Sequence, residues 1–158
     1  MLAIGTVQEI DAARMMARVK FNERGGLLSW WLPVGVDFAH DNRAYRMPDI
    51  GDQVACLMDE RWEAGVIAWS LYGGPKTPPE QSPDVHACHY SDGTIVRYNR
   101  ATHTLDILAQ GAIHITATQP VMIQAPSVAI TGNLSVSGNI TATGSIMDTA
   151  GNSNHHTH

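Results

Sequence analysis

The sequence predicts an all-β protein in two parts, a small closed barrel followed by a β-helical rod. Three observations lead there. The first half holds short strand-like runs separated by turn residues, a Pro-rich stretch divides the chain near its middle, and the last third repeats every six residues. A length of 158 residues is enough for one ordinary domain or two small ones.

The barrel is expected from about five runs: LAIGTVQEI from residue 2, ARVKF from 17, LLSWWLP from 27, DQVACLM from 52 and AGVIAWSLY from 64. Charged residues, Gly and Pro break them, the pattern of a closed or nearly closed small barrel. Pro48 and Gly51 punctuate the entry to the fourth run, in which Val54, Cys56 and Met58 alternate with Gln53, Ala55 and Leu57. Apolar residues on both of its faces imply a strand covered on both sides. Trp30 and Trp31 are adjacent, so on a strand they face opposite ways. One is expected in the core and the other at a subunit or partner interface, in preference to a base-stacking platform.

Residues 73–84, GGPKTPPEQSPD, contain four Pro and two Gly. Pro fixes φ and removes a donor, so the segment is an extended linker. The expected division is 1–77 for the barrel domain, 78–84 for the linker and 85–158 for the rod. The rod opens with a meander: VHACHY, the turn SDG, TIVRY, the turn NRAT and HTLDIL, with Asp92-Gly93 as a strong hairpin signal.

From Ala125 the chain falls into sixes: APSVAI, TGNLSV, SGNITA, TGSIMD, TAGNSN. Gly132, Gly138 and Gly144 share one column, and Val128, Leu134, Ile140 and Ile146 share another. Such a repeat is a solenoid signature, whose rungs bury their faces only by stacking on neighbours. A single chain of these thin rungs cannot offset a backbone ordering cost of roughly 1–2 kcal/mol per residue. Its edges would also lie open. Three copies wound about one axis place the aliphatic column inside and pair the edges, so an intertwined homotrimer forming a triple-stranded β-helix is expected.

Charge and composition narrow the function classes. All four Trp and both Phe precede Tyr72; after Tyr98 there is no aromatic, and only Arg100, Asp106 and Asp148 are charged. Ten Lys and Arg against fifteen Asp and Glu, without a basic cluster, disfavour a phosphate-binding surface. The N-terminal stretch lacks a signal-peptide pattern and no run reaches the length of a membrane span, so the chain is expected to be soluble and made in the cytoplasm. Cys56 and Cys88 both sit in apolar strand-like runs and are expected to be buried free thiols. No nucleophile elbow, paired-carboxylate site or phosphate loop is present, and no enzymatic activity is expected.

The order of a small barrel, the meander HYSDGTIVRYNRATHTLDI, a Gly/Ser/Thr/Asn-rich repeat and a final His-Thr-His resembles the phage baseplate assembly protein V family, the central spikes of contractile-tailed phages and tailocins. The resemblance runs over essentially the whole chain. It implies an OB-fold barrel that docks on a baseplate hub protein, a trimeric triple-stranded β-helix and an iron ion held by histidines near the tip. It also implies a virion tail component that pierces the bacterial outer membrane and takes neither nucleic acid nor a small-molecule substrate.

Residues 155–158 read His-His-Thr-His. On an extended strand His156 and His158 share one face, while His155 and Thr157 face away. Three chains then offer six imidazoles, the number for an octahedral site, which favours Fe(II) or another octahedral first-row ion over four-coordinate Zn. Such a metal would tie three strand ends together where no further rung supports them. In the cluster His86, Cys88 and His89, the first two share a face and the third opposes them, so a shared ion is not expected. His103 and His114 fall in alternating strand-like runs and are expected at the surface or in cross-strand pairs.

Two other classes stay open on the sequence. A hexapeptide-repeat acyltransferase is also trimeric and β-helical, but its repeats place an aliphatic directly before glycine; here glycine precedes the aliphatic by two. A single-strand nucleic-acid-binding OB protein would need a basic groove, whereas residues 1–77 carry eight basic and ten acidic side chains.

Overall fold

The computed structural model describes residues 1–73, 76–144 and 146. Among them the regular structure is nine β-strands and one short 3-10 turn, with no α-helix, as expected of an all-β chain. The chain divides into two units, Met1–Ala112 and Ile113–His158.

The barrel is organised around its longest strand, β1 (Leu2–Asp11). Its first half pairs antiparallel with β5 (Gln53–Met58), from Leu2 opposite Leu57 to Thr6 opposite Gln53. Its second half pairs with β2 (Met16–Phe21), and the register shifts between Val7 and Glu9. One strand thereby serves both sides of the barrel, since a bulge bends it and increases its twist. The loop before β5 fills the irregularity: Val7 N–H donates to the Asp52 carbonyl at 2.9 Å, and Gly51 N–H donates to the Val7 carbonyl at 2.9 Å.

Strands β3 (Leu27–Leu28) and β4 (Leu32–Pro33) pair with β2, and β6 (Gly65–Leu71) pairs with β5. The circle closes through a parallel bridge between Val34 and Ile67, where Gly35 N–H donates to the Ile67 carbonyl at 2.8 Å. Five antiparallel pairings and one parallel closure make a partly open barrel of OB type.

The inward residues follow the strand alternation. Val7, Val19, Phe21, Leu32, Val54, Cys56 and Ile67 are almost wholly buried, with Ala3, Ala17 and Met58 beside them. Trp62 closes one end, its ring edge-on to Phe21 at 5.0 Å between centroids, with the Arg24 guanidinium 4.6 Å above it. Gly5 stands at an inward position where β1 crosses β2. A methyl group there would lie 2.8 Å from the Lys20 carbonyl oxygen and press on Val19 and Phe21.

The run LLSWWLP forms two strands instead of one, because Ser29 breaks it. The buried Ser29 hydroxyl accepts from Val19 N–H at 2.9 Å and donates to the Trp30 carbonyl at 2.6 Å, taking the place of a ladder bond. Neither tryptophan enters the core. Trp30 is 75% exposed, Trp31 lies half-buried under Arg14 and Arg18, and Leu32 fills the inward position. The alternation rule does not apply to them because residues 29–31 are not on a strand.

The meander is a separate three-stranded sheet, β7 (Val85–His89), β8 (Ile95–Asn99) and β9 (Thr104–Leu108), paired in that order. Both turns use side chains at the expected places. Asp92 accepts from the Thr94 backbone N–H at 2.8 Å with Gly93 at φ 89°, and Asn99 accepts from Ala101 N–H at 2.9 Å.

In the second unit, residues 113–144 and 146 form no strand within the chain. Their aliphatic column is bare: Val128, Leu134, Ile140 and Ile146 are all exposed. Gly132 and Gly138, six residues apart, take positive φ of 129° and 150°, a conformation that L side chains rarely adopt. Gly144, the third glycine of the column, does not share this conformation.

Replacing Gly5 by Ala is expected to lower the unfolding free energy by about 1–3 kcal/mol, through overpacking against Val19 and the β2 backbone. A lower urea midpoint for tryptophan fluorescence of the full chain would register it; an unchanged midpoint would show that the crossing has room to spare.

Candidate functional site

The two expected metal ligands, His156 and His158, lie outside the described residues. Among the described residues no group of three or more His, Cys, Asp or Glu side chains is placed to hold a metal ion. The HACH cluster follows strand alternation. His86 and Cys88 occupy one face of β7, opposite Tyr98 and Val96 of β8, while His89 turns to the other face. There His89 Nε2 lies 3.2 Å from Glu80 Oε1, and Arg97 Nε approaches the same carboxylate at 3.4 Å. His103 sits in the turn between β8 and β9 at φ 56° and is exposed, as is His114.

The two cysteines differ. Cys56 is fully buried between β1 and β6, and that burial pushes its thiol up to about 11 from an ordinary 9.0. Cys88 is exposed, contrary to the expectation that both are buried, because nothing among the described residues covers its side of β7. They are free thiols.

Several cations of the barrel and linker are held in local pairs. Arg14 bonds Asp11 at 2.6 Å, Arg18 bonds Glu9 at 3.0 Å and Lys76 bonds Asp52 at 2.7 Å. The Arg14 hydrogen bond holds the Asp11 carboxyl below its usual range, and Asp52 raises the Lys76 ammonium. Arg100 bonds Asp84 at 2.6 Å in the same manner. Each of these pairs neutralises a charge that a phosphate-binding groove would present outward.

What the described structure offers outward is instead apolar. On the meander, Cys88, Val96, Tyr98, Leu105 and Ile107 share one exposed face across three strands. On the barrel, the outer side of β5 is not covered as its two-faced apolar pattern implies: Ala55 is buried but Leu57 is 47% exposed. Sequence reasoning missed that opening; the signal was the apolar content of the outward positions in DQVACLM. A cleft of about 420 Å³ between the β1–β2 turn and the loop after β4 is lined mainly by apolar groups, among them Val34, Val36, Phe38 and Tyr45.

The buried thiol makes a pH-dependent prediction. The folded value lies above the unfolded one, so the contribution of a neutral Cys56 is complete below pH 9 and is lost as pH rises through 9 towards 11. Urea midpoints of the full chain should fall over that window, and Cys56→Ala should flatten the fall; an equal slope in the variant would assign it to other groups.

Residues 3–72 match the family model described as the type VI secretion system/phage-baseplate injector OB domain. The matched segment runs from β1 to the residue after β6, the whole of the barrel. No curated protein matches the chain.

Proposed function

We propose, from an N-terminal barrel that is a baseplate injector OB domain of the assembly protein V kind, that this chain is the central spike of a contractile phage tail or tailocin baseplate. Its role is mechanical and non-enzymatic. The observation that carries the reading is the pairing of that domain with a six-residue repeat whose aliphatic column is bare in the single chain.

Three copies wound together would turn the column inward and give each backbone edge a neighbour, forming a triple-stranded β-helix. Outside, the rod would show the small Ser, Thr, Asn and Gly of the repeat, a surface with few side chains to catch during passage through the outer membrane. The barrel would sit on the baseplate hub and pass the sheath's force to the rod. In the virion the protein would lie at the tip of the tail, after assembly in the host cytoplasm.

His156 and His158 would close the narrow end. Imidazole nitrogens suit iron and other first-row ions, and two per chain at alternating positions suit a site shared by three chains. A bound ion would hold the three strand ends together there and supply no chemistry beyond that tie.

The purified full chain is expected to have the mass of three copies, with about one transition-metal ion, iron foremost, per trimer. Changing both His156 and His158 to Ala should abolish the metal and leave the trimer, as read by light scattering with elemental analysis. A monodisperse single-chain species would overturn the spike; unchanged metal content in the double variant would overturn the tip site alone.

A further inference from the structure

The outside of the barrel is uneven. Strands β1, β5 and β6 lie side by side, and three rows of outward positions cross them: Leu2, Leu57 and Val66; Ile4, Ala55 and Trp69; Thr6, Gln53 and Leu71. A bulge in β6 completes the face. Cys56 stands opposite Ile67 and Ala55 opposite Trp69, so Ala68 is the extra residue and Trp69 emerges outward while Ile67 stays in the core.

None of the nine positions is charged. Leu2 is 64% and Trp69 65% exposed, with Ile4, Leu57 and Leu71 also open. The adjoining outer side of β1 and β2 is different, carrying Glu9, Arg18 and Lys20. An apolar sheet face without cations suits neither phosphate nor an anionic membrane; it suits another apolar protein face.

We propose that this face packs against the barrels of other copies of the chain, so that the barrels as well as the repeats are joined. This rests on the trimeric reading of the spike. Leu71 ends β6 and β7 starts at Val85, so residues 72–84 tether each barrel to the rod. Thirteen residues span about 20 Å as a flexible coil and about 40 Å as extended polyproline. Barrels of one trimer are therefore confined near one another at an effective concentration on the order of millimolar, where an apolar contact too weak for free barrels closes.

Charge selects the same face. The chain carries a net charge of −5, and copies meeting through their acidic surfaces repel, whereas these nine positions bring no charge together. Around one threefold axis each barrel touches the next, which closes the contact after three copies without open-ended growth.

Trp30 and Trp69 give an internal comparison, since both are widely exposed in the single chain. In hydroxyl-radical footprinting of the assembled full-length protein, Trp69 is expected to react about five-fold less than Trp30, as a residue in a dry interface core should. Leu57→Lys, and Leu2→Lys as a second variant in case the first misfolds, should restore Trp69 to the reactivity of Trp30 while the three-chain mass persists. A three-chain mass with Trp69 as reactive as Trp30 in the wild type overturns this proposal and leaves the spike intact. A one-chain mass overturns both. Protection of Trp69 that appears only on adding another baseplate protein assigns the face to that partner and overturns it too.

Discussion

A β-strand has two faces, and this chain has one layer of strands with which to cover them. The barrel meets that constraint by curling until its sheet covers itself, which buries the inner residues of β1, β2, β4, β5 and β6 around Val7, Val19, Val54, Cys56 and Ile67. Curling demands close crossings and bends. The absence of a side chain at Gly5, the register shift in β1 and the bulge in β6 meet those demands.

The meander and the repeat cannot curl. Three strands of five residues are too few to close, and residues 113–144 form no ladder of their own, so Leu105, Ile107, Val128, Leu134 and Ile140 stay exposed. Isolated apolar residues at a surface need no explanation, but a continuous series of them does. In the proposed trimer, association of like chains would cover such a series, because each copy brings the same period and the same unpaired edges. In the proposed spike, the feature that leaves a single chain incomplete is the one that makes the rod.

Charge is handled locally in the same economical way. Arg14, Arg18, Lys76 and Arg100 each have an acidic partner within 3.0 Å, which removes their charges from the outward field. Exposed pairs of this kind add little to stability.

The candidate site divides in the same way as the fold. His156 and His158 could be singled out from spacing alone, because alternation along an extended strand is a local rule. The outer face of β1, β5 and β6 could not, since its nine positions are scattered from Leu2 to Leu71 and meet only through register. The tryptophan pair misled for a related reason: alternation at Trp30 and Trp31 presumes a strand, and a buried serine hydroxyl ended the strand one residue earlier.

By itself the sequence determined most of the strands and turns, though not the break at Ser29, and the period of the repeat, all of which depend on residues no more than a few positions apart. The tertiary structure alone decided that β1 serves two neighbours, that Val34 closes on Ile67, and that one extra residue at Ala68 turns Trp69 outward. Those outcomes depend on how distant strands must twist and bend to shut a small barrel, and a shift of one residue in any pairing exchanges its inner face for its outer one.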